Sequence, residues 1–159
     1  MPVAWGYVDK NEFPDPKFAI TFDQEEVDVT RHVMAFTDCS LVVEDFMRTC
    51  TRSEIALIIA EDRDIVRRAV KEALALYRSP EQLKAWRLEK KELLPFRRIR
   101  DTVHFAKKPE SRHLQLADAC TFFIKGHLNQ QVKGDFLYEE LKQMLLVFPA
   151  RDSSQARVS

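Results

Sequence analysis

Three observations predict an α/β domain. Residues 55–60 (IALIIA) form an unbroken apolar run of strand length that stops abruptly at Glu61-Asp62. Apolar residues on either side of that run recur at helical spacing. Residues 79–82 (SPEQ) form a capping box with proline at the first helical position, which opens another helix. Strands separated by helices define the α/β class.

The elements follow in order. Residues 3–8 (VAWGYV) read as a short strand of β-branched and aromatic residues, and NEFPDP after it is loop. Residues 18–22 are weakly extended. From about Thr30 to Cys50, Phe36, Cys39, Val43, Phe46, Met47 and Cys50 share one helical face. The run at 55–60 is expected to be covered on both faces. Ile65, Ala69, Val70, Ala73, Leu76 and Tyr77 mark an amphipathic helix, with Asp62 or Asp64 as its N-cap. Residues 99–105 (IRDTVHF) alternate as a strand. A helix follows around Gln115 and Asp118, and residues 135–146 make the last helix. Residues 1–149 form one domain, and the polar tail at 150–159 is expected to be disordered.

Composition bounds the class. A chain of 159 residues, 45% of them hydrophobic, can bury one core. Three widely spaced cysteines with no CxxC point to a reducing, cytoplasmic setting without structural zinc. There is no apolar run long enough for a membrane span, no phosphate-binding glycine motif and no GxSxG. Zero net charge hides an asymmetry. Residues 1–62 carry 13 acids against five Lys or Arg, whereas residues 84–112 carry ten Lys or Arg against four acids. The basic stretch is either a solvated face or a surface for phosphates.

Two acidic positions matter most. Glu61 and Asp62 lie at the carboxyl end of the apolar strand, where open α/β sheets bind ligands and where acids also cap the next helix. On the later helix, Gln115, Asp118, Phe122 and Lys125 form one stripe, while Leu114, Leu116, Ala117, Cys120, Phe123 and Ile124 occupy the other faces. A helix this apolar is expected to be mostly buried, so its stripe faces either solvent or a polar cleft. An unpaired buried carboxylate is costly, and a divalent metal is one remedy. The histidines His32, His104, His113 and His127 form no evident constellation, and Phe122 and Phe123 read as core.

WGYVDKNEF, ALIIAEDRD and DTVHFAKKPESRHLQLADACTFFIKGHL together resemble the bacterial family called domain of unknown function 3800. The Leu-Gln-Leu-Ala-Asp run is the most specific part, and the match covers nearly the whole chain. Asp62 departs from the asparagine common at that place in the family. The resemblance implies a ribonuclease H-like fold, a mixed five-stranded sheet flanked by helices with residues 55–60 central. It also implies a metal-dependent nuclease site using Mg²⁺ or Mn²⁺, two ions in such sites standing about 3.5–4 Å apart. Carried over by position, Glu61 and Asp118 are the catalytic carboxylates, Asp62 joins them as a metal ligand, and Gln115 is a polar support. Arg97, Arg98, Arg100, Lys107, Lys108 and Arg112 would hold the nucleic acid. The family's opening strand, ending in Asp-Glu-Ser-Gly, has no counterpart here. An N-terminally truncated domain is therefore expected, its missing strand encoded upstream or its gap covered by a homodimer partner or a completing polypeptide. The alternative is a catalytically inactive interaction or nucleic-acid-binding module that keeps the fold.

Overall fold

Asp23 opens the longest helix. Its carboxylate accepts from the Glu26 backbone N–H at 2.8 Å, and the Glu26 carboxylate accepts from the Asp23 N–H at 3.1 Å. This reciprocal box starts the helix six residues before the apolar periodicity does, at Gln24 rather than near Thr30. The computed structural model describes residues 3–5, 23–50, 53–88, 93–130 and 135–147. In chain order these form β1 (Val3–Trp5), α1 (Gln24–Cys50), β2 (Ile59–Glu61), α2 (Asp64–Arg78), α3 (Pro80–Ala85) and β3 (His104–Ala106). A 3₁₀ turn (Lys108–Glu110), α4 (Arg112–Leu128), α5 (Asp135–Lys142) and β4 (Leu145–Val147) complete the order. Residues 6–8 of the strand expected at 3–8, the extended segment at 18–22 and the tail at 150–159 lie outside the described residues.

The fold is mixed α/β and mostly helical. Among the described residues the strands form two parallel pairs, β1 with β4 and β2 with β3, rather than one five-stranded sheet with residues 55–60 at its centre. The β2–β3 register sets Glu61 opposite Ala106, and an isolated parallel bridge joins Ala56 to Ile99. Between bridge and strand, the segment expected to run straight from 99 to 105 is broken at Asp101, which takes φ 66°. There the Asp101 side chain accepts from the Thr102 N–H at 2.7 Å, a local turn that a period-of-two reading does not register. The chain end also differs from expectation. α5 stops at Lys142, and residues 145–147 pair with β1 as a strand.

The core lies between α1, α2 and the inner face of the β2–β3 pair. Leu41, Val66, Val70, Leu74, Leu83, Phe96, Ile99 and Val103 are buried, with Ala56, Ile58, Ala60 and Phe105 packed against them. Two expectations are corrected here. The inward stripe of α2 runs through Val66, Val70 and Leu74, which leaves Ile65 55% exposed. The apolar run at 55–60 is covered on one face only, since Ile55, Leu57 and Ile59 are 57%, 57% and 47% exposed. A pleated strand sends alternate side chains to opposite faces, and only the even-numbered ones meet the core. The α2 N-cap is Arg63, which makes no side-chain cap bond, so neither Asp62 nor Asp64 takes that role. Ser79 and Ser111 do cap their helices, accepting from the Gln82 and Leu114 N–H groups at 3.2 and 3.3 Å.

One buried carboxylate joins these parts. Glu44 on α1 is fully buried, and its oxygens accept from the backbone N–H groups of Arg97 (2.7 Å), Arg98 (3.0 Å) and Ile99 (3.0 Å). Arg48 Nε donates to Glu44 Oε1 at 2.7 Å, and Arg48 Nη2 donates to the carbonyls of Leu93 (3.0 Å) and Pro95 (2.7 Å). Burial alone would raise the Glu44 pKa, but the three N–H donors and Arg48 together hold it below its ordinary value of 4.5. Glu44→Ala would orphan three backbone donors and strand the Arg48 charge, a loss of about 3–5 kcal/mol readable by urea unfolding. Because the folded carboxyl has the lower pKa, its contribution is complete above pH 4.5 and fades as pH falls through the folded value. Wild-type stability therefore drops on acidification below that point, and Glu44→Ala shows a shallower slope.

Candidate functional site

The β2–β3 register carries its own consequence. Glu61 ends β2 opposite Ala106, and the Asp62 N–H extends the ladder to the Ala106 carbonyl at 3.0 Å. Two residues past Ala106, Lys108 begins the 3₁₀ turn, so strand pairing alone brings Lys108 to the Glu61 end of the sheet. The Ser111 cap then starts α4, which lies against β2 and presents Asp118.

Glu61 and Asp118 line one cavity of about 310 Å³, together with His32, Arg63, Lys108, Leu114, Ala117 and Thr121. Each carboxylate has a cationic partner in the same wall. Arg63 Nε lies 3.2 Å from Glu61, and Lys108 Nζ lies 2.5 Å from Asp118. His32, on α1, is exposed as a residue yet partly desolvated at its ring. Burial, aided by the Arg63 charge, pushes its pKa below 6.5 against the opposing pull of Glu61, so the imidazole is uncharged at neutral pH. His32 and Arg63 also border a neighbouring cavity of about 400 Å³ lined by Asp28, Arg31 and Ile65.

The remaining candidate residues divide. Gln115 stays outside the cavity lining. Its Nε2 donates to the carbonyls of Lys108 and Pro109, both at 3.3 Å, and so braces the turn that carries Lys108. Asp62 is held by Arg67, whose Nε donates to it at 2.9 Å, and does not line the cavity. Of the six basic residues expected to hold nucleic acid, only Lys108 lines the cavity. Arg97 and Arg98 sit where their backbones meet Glu44, and the side chains of Arg97, Arg100, Lys107 and Arg112 are exposed.

α4 is not the buried helix its composition predicts. Among its described side chains only Cys120, Ile124 and Gly126 are buried, while Leu116 and Phe122 are 50% and 69% exposed. Phe122 is thus surface rather than core, in edge contact with Phe123. The Gln115–Asp118 stripe is partly solvated and partly turned to the cavity, which reconciles the two readings of Asp118.

His32 and Arg63 escape sequence reasoning for different reasons. Nothing local marks His32, because the docking of α1 against α2 brings it to the cavity that Glu61 lines. Arg63 carries a local signal, a cation two residues beyond a strand-terminal acid.

The donors can be tested against a divalent cation. Carboxylate oxygens suit Mg²⁺ or Mn²⁺, and Mg²⁺ is commonly held by one or two carboxylates plus water and substrate phosphate. Among the described residues no group of three His, Cys, Asp or Glu is arranged to hold a metal. Glu61 and Asp118 are two carboxylate donors, each paired with a cation, and the described residues do not supply the donors of a two-ion cage. No helix among them is long and apolar enough to cross a membrane. Compared with protein-family models, curated proteins and solved structures, the chain matches none.

Both ion pairs are open to water, with side chains 60% and 42% exposed for Arg63–Glu61 and 39% and 58% for Lys108–Asp118. Exposed pairs contribute about 0–1 kcal/mol. Lys108→Gln and Asp118→Asn are each expected to shift stability by about 1 kcal/mol or less in urea unfolding. A much larger loss would show that the pair holds the fold rather than furnishing the cavity.

Proposed function

We propose that this chain is a metal-dependent, nuclease-like domain, or part of one, that hydrolyses phosphodiester bonds in nucleic acid. The proposal includes the ribonuclease H-like assignment and likeness to the domain of unknown function 3800 family. One observation carries it: carboxylates from separate elements, Glu61 at a strand end and Asp118 on a late helix, line the same cavity beside Lys108 and Arg63. That is the arrangement phosphoryl chemistry needs, oxygen donors for a cation next to cations for a phosphate.

A bound Mg²⁺ or Mn²⁺ supplies charge neutralisation at the phosphate and a water of lowered pKa. Glu61 and Asp118 would hold the ion, and Gln115 would keep the Lys108 turn in place. Lys108 and Arg63 would orient the phosphate. Arg97, Arg98, Arg100, Lys107 and Arg112 would contact the backbone of the nucleic acid, a contribution that weakens as salt rises. The exposed Ile55, Leu57 and Ile59 support a second copy of the chain or a completing polypeptide on that face.

A second reading, an inactive interaction or nucleic-acid-binding module, is favoured by the pairing of both carboxylates with cations. Metal binding separates the two. With Mn²⁺ at about 100 times its Kd, Tm is expected to rise by ~5 °C or more in the wild type and to stay unchanged in Asp118→Ala. Equal shifts in both proteins would remove the metal claim. A Mn²⁺ shift confined to the wild type, without cleavage of a labelled oligonucleotide, would select the inactive module.

A further inference from the structure

The two ion pairs give the cavity a property that neither the carboxylates nor the cations have separately. Arg63 is bound to Glu61 and Lys108 to Asp118, so with His32 uncharged the wall carries two negative and two positive charges that cancel pairwise. A cation arriving alone must take Glu61 and Asp118 from their partners, leaving Arg63 and Lys108 uncompensated. An anion arriving alone must do the reverse. When both arrive, the same two pairs are broken only once.

We propose that His32, Arg63 and Lys108 form a phosphate subsite gated by Glu61 and Asp118, so that divalent cation and phosphate bind with positive coupling. The proposal deepens the nuclease-like reading and rests on Glu61 and Asp118 as cation donors. The ligand chemistry is a phosphate group, carried either by a free nucleotide or by a polynucleotide backbone. Three features fit it. Arg63 and Lys108 line the same cavity from separate segments, one after β2 and one after β3, and so bring two cationic groups to it. His32 adds a ring N–H from a third element, α1. The pairs are solvated enough to exchange, since each is worth little. Two such pairs correspond to a coupling of up to about thirtyfold, and linkage makes it reciprocal.

The test is calorimetric titration of the full chain with thymidine 5′-monophosphate and, separately, with decathymidylate, each with and without Mg²⁺. In the wild type, Mg²⁺ should tighten phosphate binding about fivefold or more. The decisive arm contains no metal. Glu61→Gln with Asp118→Asn frees Arg63 and Lys108, so this double variant should bind the phosphate probe more tightly than the wild type does without Mg²⁺, and should lose the Mg²⁺ effect. Glu72→Gln with Glu139→Gln makes the same charge change away from the cavity lining and should leave affinity unchanged. Arg63→Gln with Lys108→Gln should abolish the Mg²⁺-enhanced binding.

The proposal is overturned if the Glu61/Asp118 variant binds no tighter than wild type without metal, or if the Glu72/Glu139 control gains as much. It is also overturned if the Arg63/Lys108 variant retains wild-type affinity in Mg²⁺. A gain in the Glu61/Asp118 variant without a wild-type Mg²⁺ effect would uphold the phosphate subsite while removing the metal reading, so the two fail separately. A response to decathymidylate alone identifies a polynucleotide as the source of the phosphate, and a response to both probes leaves the subsite open to nucleotides.

Discussion

The described structure depends on where Glu44 sits. Its carboxylate is sealed under the core and accepts three successive backbone N–H groups from residues 97–99, so that stretch cannot slide along α1. Ile99, so fixed, bridges Ala56: the Ala56 N–H donates to the Arg98 carbonyl at 2.9 Å, and the Arg100 N–H donates to the Ala56 carbonyl at 3.0 Å. The same alignment continues to His104, whose N–H donates to the Ile58 carbonyl at 2.9 Å, and then to the β2–β3 ladder. Register in a parallel pair is an all-or-none choice, because a one-residue slip inverts every side chain. A buried charge that tolerates only one set of donors is a strong way to make that choice.

The cavity inherits its geometry from this register. Fixing Glu61 opposite Ala106 puts Lys108 at the cavity, Ser111 caps α4 just beyond it, and α4 delivers Asp118. Fold and site therefore differ in energetic character. The Glu44 cluster is buried and expensive to break, whereas the cavity pairs are exposed and cheap. A rigid frame holding exchangeable ion pairs suits binding, since occupants can displace those pairs without disturbing the scaffold.

Much of this was legible in the sequence, for identifiable reasons. The strand stop at Glu61-Asp62, the Ser79 cap and the helix bearing Gln115 and Asp118 follow from local chemistry, and the structure has each in place. Glu61, an acid at a strand end, and Asp118, an acid on a polar helix stripe, are both marked by local pattern, and both line one cavity. What failed depended on tertiary neighbours. The uniformly apolar run at 55–60 predicts two buried faces, yet composition cannot say whether anything lies against the second face, and Ile55, Leu57 and Ile59 are exposed. α4 misled in the same way. Residues 145 and 146 fall in the helix that their own pattern predicts, but residues 145–147 pair with β1 and form a strand. The i, i+4 spacing to Arg48 is visible in the sequence, but Glu44 gave no sign of burial, since its three backbone partners lie more than 50 positions away and are of no particular residue type. His32 is hidden because only tertiary packing brings α1 to the cavity.

The central claim is that Glu61 and Asp118, brought together from strand and helix, act as one donor pair. Crystals grown or soaked with Mn²⁺ test it most directly, through the anomalous scattering of the ion. The account predicts an anomalous peak within coordination distance of both carboxylates, about 2.0–2.2 Å from their oxygens, with Arg63 and Lys108 moved off their partners. Full-occupancy Mn²⁺ elsewhere, with Arg63–Glu61 and Lys108–Asp118 still paired, would contradict it.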